Sequence, residues 1–114
     1  MIRDFKLFLD DINEALSKIK EYTQDLDFEK FSQDTKTIDA VIRNFEILGE
    51  ATKQIPENIK SRYPKVPWKE MAGMRDKLVH AYFGIDAEVI WETITKRIPK
   101  LKNQIQNIIK DLEK

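Results

Sequence analysis

Asp39-Ala-Val-Ile-Arg43-Asn-Phe-Glu-Ile-Leu48-Gly49-Glu-Ala51 is the stretch whose periodicity decides the fold. Ile42, Phe45 and Leu48 recur at spacings of three and four, the pattern of one stripe along an α-helix. The stripe runs back through Ile38 and Thr35 to Phe31 and forward through Thr52 to Ile55. That predicts one long helix of roughly six to seven turns, ended by Pro56. Asp39, Arg43, Glu46 and Glu50 follow one another at the same spacings on another side. Such a charge ladder either faces solvent or organises a polar interface.

Working outward, Ile2, Phe5, Leu9, Ile12, Leu16, Ile19 and Thr23 form a second stripe and predict a long first helix. A break follows near Gln24 to Asp27. There Asp27 can cap a short helix, with Leu26 and Phe31 as its hydrophobic staple. On the other side, Pro56, Pro64 and Pro67 forbid a continuous helix and leave one short turn around Glu57 to Ser61. Pro67 suits the first position of the next helix, read as running from about Trp68 to Phe83 and ended by Gly84 in the left-handed conformation. Asp86 caps the last helix, with Ile85 and Ile90 as staple. Its buried stripe is Ile90, Ile94, Ile98, Leu101, Ile105, Ile108 and Leu112, with Pro99 as a kink. The expected fold is an all-α helix bundle of three long and two or three shorter helices, with antiparallel neighbours wherever the connections are short.

Composition narrows the class. The 114 residues suit a single domain spanning 1–114, and 41% hydrophobic residues fill its core while 35% charged residues coat the helices. Twenty basic residues balance twenty acidic ones, so no overall positive field exists and a nucleic-acid partner needs a local basic surface. The chain has no cysteine and one histidine. That removes thiolate chemistry, disulfides and a histidine-rich metal site within one chain, and no cofactor is implied. Charges stand early in Met1-Ile-Arg-Asp-Phe-Lys, and no run is apolar enough to span a bilayer. The expected location is the cytoplasm, without membrane association.

Trp68 to Gly84 holds the only histidine. On a continuous helix, Met71, Met74, Leu78 and Ala81 fall within an arc of roughly 80° that faces the core, with Arg75 and Tyr82 at one edge. Beyond Val79, Ala72 and Phe83, Asp76 and His80 share a common edge four residues apart, so Arg75 and His80 stand about 140° apart and ~7.5 Å along the axis. They flank a groove across which Ala72 and Gly73 allow close approach, with Val79 and Phe83 as apolar contacts. Two readings of these residues stand side by side: a reacting Arg–His pair, or a surface histidine with Arg75 paired to a neighbouring acid.

Arg75, four residues, His80, one residue and Tyr82 resembles the motif of the HEPN superfamily in its HepT toxin branch. The likeness extends to Asp39 through Ala51, Tyr63-Pro-Lys-Val-Pro-Trp68, Gly73-Met-Arg75, His80-Ala-Tyr-Phe-Gly84 and Val89-Ile-Trp91, in order and spacing. Asp76 stands where relatives often carry Asn or another polar residue. It could hold His80 in orientation or pair with Arg75 and weaken it.

The resemblance implies a metal-independent endoribonuclease toxin that cleaves cellular RNA, tRNA or mRNA. It acts as a homodimer with the motif helices of two subunits lining a shared cleft. Arg75 and His80 are then the catalytic residues, Asp76 a supporting one. The partner is a minimal nucleotidyltransferase antitoxin that adenylylates Tyr82. A rival reading keeps the family and drops the catalysis, leaving an inactive nucleotide- or partner-binding module beside a nucleotidyltransferase. The charge ladder Asp39, Arg43, Glu46 and Glu50 is assigned to the dimer interface or to bracing the motif helix. Lys69, Lys77, Arg75 and Arg97 are the cations expected to cluster at the cleft mouth.

Overall fold

Asp4 starts the first helix: its carboxylate accepts the Lys6 backbone N–H at 2.9 Å, and α1 runs Phe5–Thr23. The computed structural model describes residues 4–80 and 84–113, with the backbone alone described at 79, 80 and 85. The helices that follow are α2 Phe28–Gln33, α3 Thr35–Lys53, α4 Glu57–Arg62, α5 Trp68–Ala72 and α6 Met74–Leu78. A two-residue antiparallel pair joins β1 Val79–His80 to β2 Gly84–Ile85. After it come α7 Ala87–Lys96 and α8 Ile98–Leu112. The fold is the expected all-α bundle, its described helices more finely divided than the stripes imply.

Three differences have local causes. The long second helix begins at Thr35 instead of Phe31, because the Asp34 carboxylate accepts both the Thr37 N–H at 3.0 Å and the Thr37 hydroxyl at 2.7 Å. Phe31 belongs to α2, which Asp27 caps as its sequence position suggests. The last helix is two, separated at Arg97, because Pro99 has no N–H to give and its ring crowds the carbonyl of Thr95. The helix from Trp68 to Phe83 breaks at Gly73 and stops at Leu78.

One core unites the helices. Leu9, Ile12, Leu16 and Ile19 of α1 are fully buried, together with Val41, Phe45 and Leu48 of α3 and Ile105 of α8. Each such side chain contributes about 1.5–3 kcal/mol of burial. α1 packs on both α3 and α8, and α2 closes on α7 through Phe31 and Trp91, whose ring centroids lie 5.1 Å apart. Buried hydroxyls are satisfied inside their own helices: Thr52 donates to the Leu48 carbonyl at 2.7 Å and Thr23 to the Ile19 carbonyl at 2.8 Å. Among the described residues no helix is long and apolar enough to cross a membrane.

Candidate active site

The motif segment is docked on α3 by a backbone contact. A Cβ built on Gly49 would stand 3.0 Å from the Ala72 carbonyl oxygen, so α3 and α5 meet where only glycine leaves room. Met71 of α5 and Met74 and Leu78 of α6 are buried beneath the same contact, as the sequence stripe predicts. Upstream, the Trp68 indole N–H donates to the Tyr63 carbonyl at 3.1 Å and fastens the proline-rich connector to the start of α5. Pro67 stands just before that helix, at its cap, one residue earlier than its sequence position suggests.

Gly73 separates α5 from α6, its N–H donating to the Lys69 carbonyl at 3.2 Å while its own carbonyl accepts from Asp76 and Lys77. Glycine is about 1 kcal/mol poorer than alanine in a helix interior, which favours the break here. The chain then turns extended, and the register sets Val79 opposite Ile85 and His80 opposite Gly84. Gly84 has a φ of 76°, so its left-handed conformation serves the strand pair instead of a helix end. The angles drawn on a continuous helix between Arg75 and His80, and between Asp76 and His80, therefore do not hold beyond Leu78.

Arg75 sits on α6 with its side chain exposed, and its Nη1 lies 3.4 Å from Oδ1 of Asp76. Of the two roles expected for Asp76, pairing with Arg75 is seen in this geometry, and the other rests on the His80 side chain, which lies outside what is described. Both groups face solvent, so the pair is worth little and does not lock the guanidinium away from a phosphate. For His80 only the backbone is described, and Tyr82, with Ala81 and Phe83, lies outside the described residues.

The cations expected at the cleft mouth divide. Lys69 and Lys77 are exposed, and neither has an ion-pair partner among the described residues. Arg97 instead reaches Glu70 of α5 and pairs with its carboxylate, tying the α7–α8 junction to the motif segment. In the charge ladder, Arg43 pairs with Glu46 at 3.7 Å and Glu50 with Lys53 at 3.2 Å. Arg43, Glu46 and Glu50 line a groove against α1 together with Phe8 and Asp11. Away from the motif, the Tyr63 hydroxyl donates to Asp111 at 2.8 Å, which holds the phenol's pKa above its ordinary value. Sequence reasoning missed the Glu70–Arg97 bridge, since nothing along the chain pairs residues of two separate helices.

The ribonuclease family described as Ribonuclease HepT-like matches residues 12–108, a span that contains α3, the Gly49 contact and the whole motif segment. The chain belongs to this family. It is 50% identical to a "Probable ribonuclease HepT" of Thermococcus cleftensis, over 96% of this chain and all of that protein. A Methanocaldococcus jannaschii protein named "Putative RNase MJ0125" is 49% identical over 97% of this chain and 96% of its own length. "Putative RNase TTE0752" of Caldanaerobacter subterraneus is 43% identical over 90% of this chain and 91% of its own. No solved structure matches the chain significantly. The HEPN resemblance seen in the motifs is thus the HepT-like family itself, and the all-α bundle agrees with it.

Proposed function

We propose that this HepT-like chain is a metal-independent endoribonuclease, a toxin that cleaves cellular RNA at a site shared by two subunits. The observation that carries the reading is the intact Arg75, His80, Tyr82 motif inside a ribonuclease family match that covers residues 12–108. In the step proposed, the ribose 2′-oxygen bonds to the adjacent phosphorus, the bond from phosphorus to the 5′-oxygen breaks, and a 2′,3′-cyclic phosphate and a 5′-hydroxyl result. One His80 takes the 2′-hydroxyl proton and the other subunit's His80 returns a proton to the leaving oxygen. Arg75 offers a permanently charged fork to the phosphorane oxygens. A single histidine per chain serves as both acid and base only if two-fold symmetry brings a second copy, so the homodimer belongs to the mechanism.

Control is proposed to fall on Tyr82. A nucleotidyltransferase antitoxin transfers AMP from ATP: the phenolic oxygen bonds to the α-phosphorus and pyrophosphate leaves. The adduct places bulk and negative charge beside a site that must admit an RNA phosphate. Asp76 tunes Arg75 through the 3.4 Å contact, and its loss leaves the guanidinium free for substrate.

The test is cleavage of total cellular RNA with EDTA present by the wild-type chain, His80→Ala and Arg75→Ala, each checked for fold and dimerisation. Cleavage by wild type alone, falling at least a hundredfold in each variant, supports the reading. Equal cleavage by all three overturns it. No cleavage by a folded dimer, with nucleotide still bound, moves the chain to the inactive binding-module reading.

A further inference from the structure

A chain of zero net charge that acts on RNA must gather its cations locally, and one cavity among the described residues gathers four of them with no acid in its lining. Between the α4–α5 connector and the α7–α8 junction lies a cavity of about 350 Å³ lined by Lys65, Lys96, Arg97, Lys100 and Gln104, closed by Pro67 and Leu101. Lys96 is already engaged by Glu92 at 3.1 Å and Arg97 by Glu70. Lys65 and Lys100 are exposed and have no ion-pair partner among the described residues. Gln104 donates to the Lys65 carbonyl at 3.3 Å, while its own side-chain oxygen is buried with no hydrogen-bond partner among the described residues. Lys65 and Gln104 also line a neighbouring cavity of about 520 Å³ that includes Arg62 and Tyr63, so the two form one trough along α8.

We infer that this trough carries the phosphodiester backbone of the RNA substrate beyond the cleaved bond. The inference rests on the ribonuclease reading above and adds the path of the strand. Two uncompensated lysines over a cavity with two further cations fit a chain of phosphates, which binds by releasing counterions. The place is also right: Glu70, which holds Arg97 at the trough, precedes Arg75 by five residues, a reach of at most ~18 Å even if extended. Asp111, engaged by the Tyr63 hydroxyl, marks the far end, where a carboxylate turns the strand away.

The decisive comparison uses the dimeric full chain carrying His80→Ala, so that RNA is bound without being cut, and a short fluorescein-labelled single-stranded RNA read by anisotropy. Adding Lys65→Ala and Lys100→Ala should raise Kd about tenfold. It should also lower the slope of log Kd against log salt by about 1.4, the value for two single-strand phosphate contacts. Lys65→Arg with Lys100→Arg should restore both, and Lys30→Ala with Lys36→Ala on α2 and α3 should change neither. In the cleavage-competent chain the double alanine variant should raise KM and leave kcat in place, as loss of uniform binding does. Wild-type cleavage with unchanged Kd, salt slope and KM in the folded double variant would falsify the trough alone. A wild-type chain that neither binds nor cuts RNA would overturn the trough and the ribonuclease reading together.

Discussion

The bundle formed by α1, α3 and α8 and the segment from Trp68 to Ile85 obey the same apolar spacing yet fold to different outcomes. α1 and α3 each run 19 residues with an aspartate cap and a stripe that reaches the core along its whole length. The motif segment has the same kind of stripe in Met71, Met74 and Leu78, but its two helices last five residues each before the chain turns extended. Isolated helices that short are not stable by themselves, because nucleation is costly and few hydrogen bonds follow it. Their shape is imposed by the bundle through the Gly49–Ala72 contact and the methionines beneath it. The comparison teaches that a buried stripe says where a segment packs, whereas continuity of the helix depends on what the backbone meets.

The sharpest way to break the contrast is Gly49→Leu. A side chain at the 3.0 Å contact must push the α5 backbone away or distort α3, an overpacking cost of about 1–3 kcal/mol. The expected result is a thermal midpoint several degrees lower, with RNA cleavage lost in molecules that remain folded by circular dichroism. Unchanged cleavage would mean that the segment does not depend on this docking.

A smaller effect, confined to the bundle, is expected from Asp34→Ala. The hydrogen bonds from Thr37 hold the Asp34 carboxyl below its ordinary pKa, so the cap stabilises the fold above the unfolded-state value near 4 and is lost as pH falls through the folded one. The midpoint difference between wild type and variant should therefore be constant at neutral pH and shrink toward zero in acid. Cleavage per folded molecule should not change.

Smallest, and opposite in sign, is Gly73→Ala. A Cβ there meets only the Lys69 carbonyl at 3.8 Å, ordinary contact, and the φ of −101° suits any residue. The substitution should stabilise by about 0.4–1 kcal/mol through the unfolded chain. A loss of stability would show that the break between α5 and α6 needs glycine itself.

Much of the bundle was readable from spacing. The stripes through Leu9 to Ile19 and Ile90 to Ile108 are buried in the structure, as is the one from Ile38 to Ile55 except at Ile42, which is half-buried while its neighbour Val41 is fully buried, and the Asp27 and Asp86 caps stand where the sequence puts them. The start at Thr35 was hidden because Phe31 falls in phase with the α3 stripe across the Asp34 cap. The end at Leu78 was hidden because the strand pair depends on residues 84–85, which a helical projection of 68–83 leaves out. Arg75, His80 and Tyr82 were singled out through motif context, since spacing alone favours a surface histidine. The trough had a partial signal in Lys96, Arg97 and Lys100, but Lys65 joins them only through the packing of the connector on α8.

The packing of α1 on α8 also imposes an order in time. α3 follows α1 closely along the chain and covers one side of it, whereas the other side waits for α8, so the bundle closes only after nearly all the described chain exists. One wall of the trough is α8 as well, and any surface it offers to RNA comes into being with that last closure and not before. A chain that stops short of Ile98 leaves the α8-facing side of α1 uncovered and has no trough.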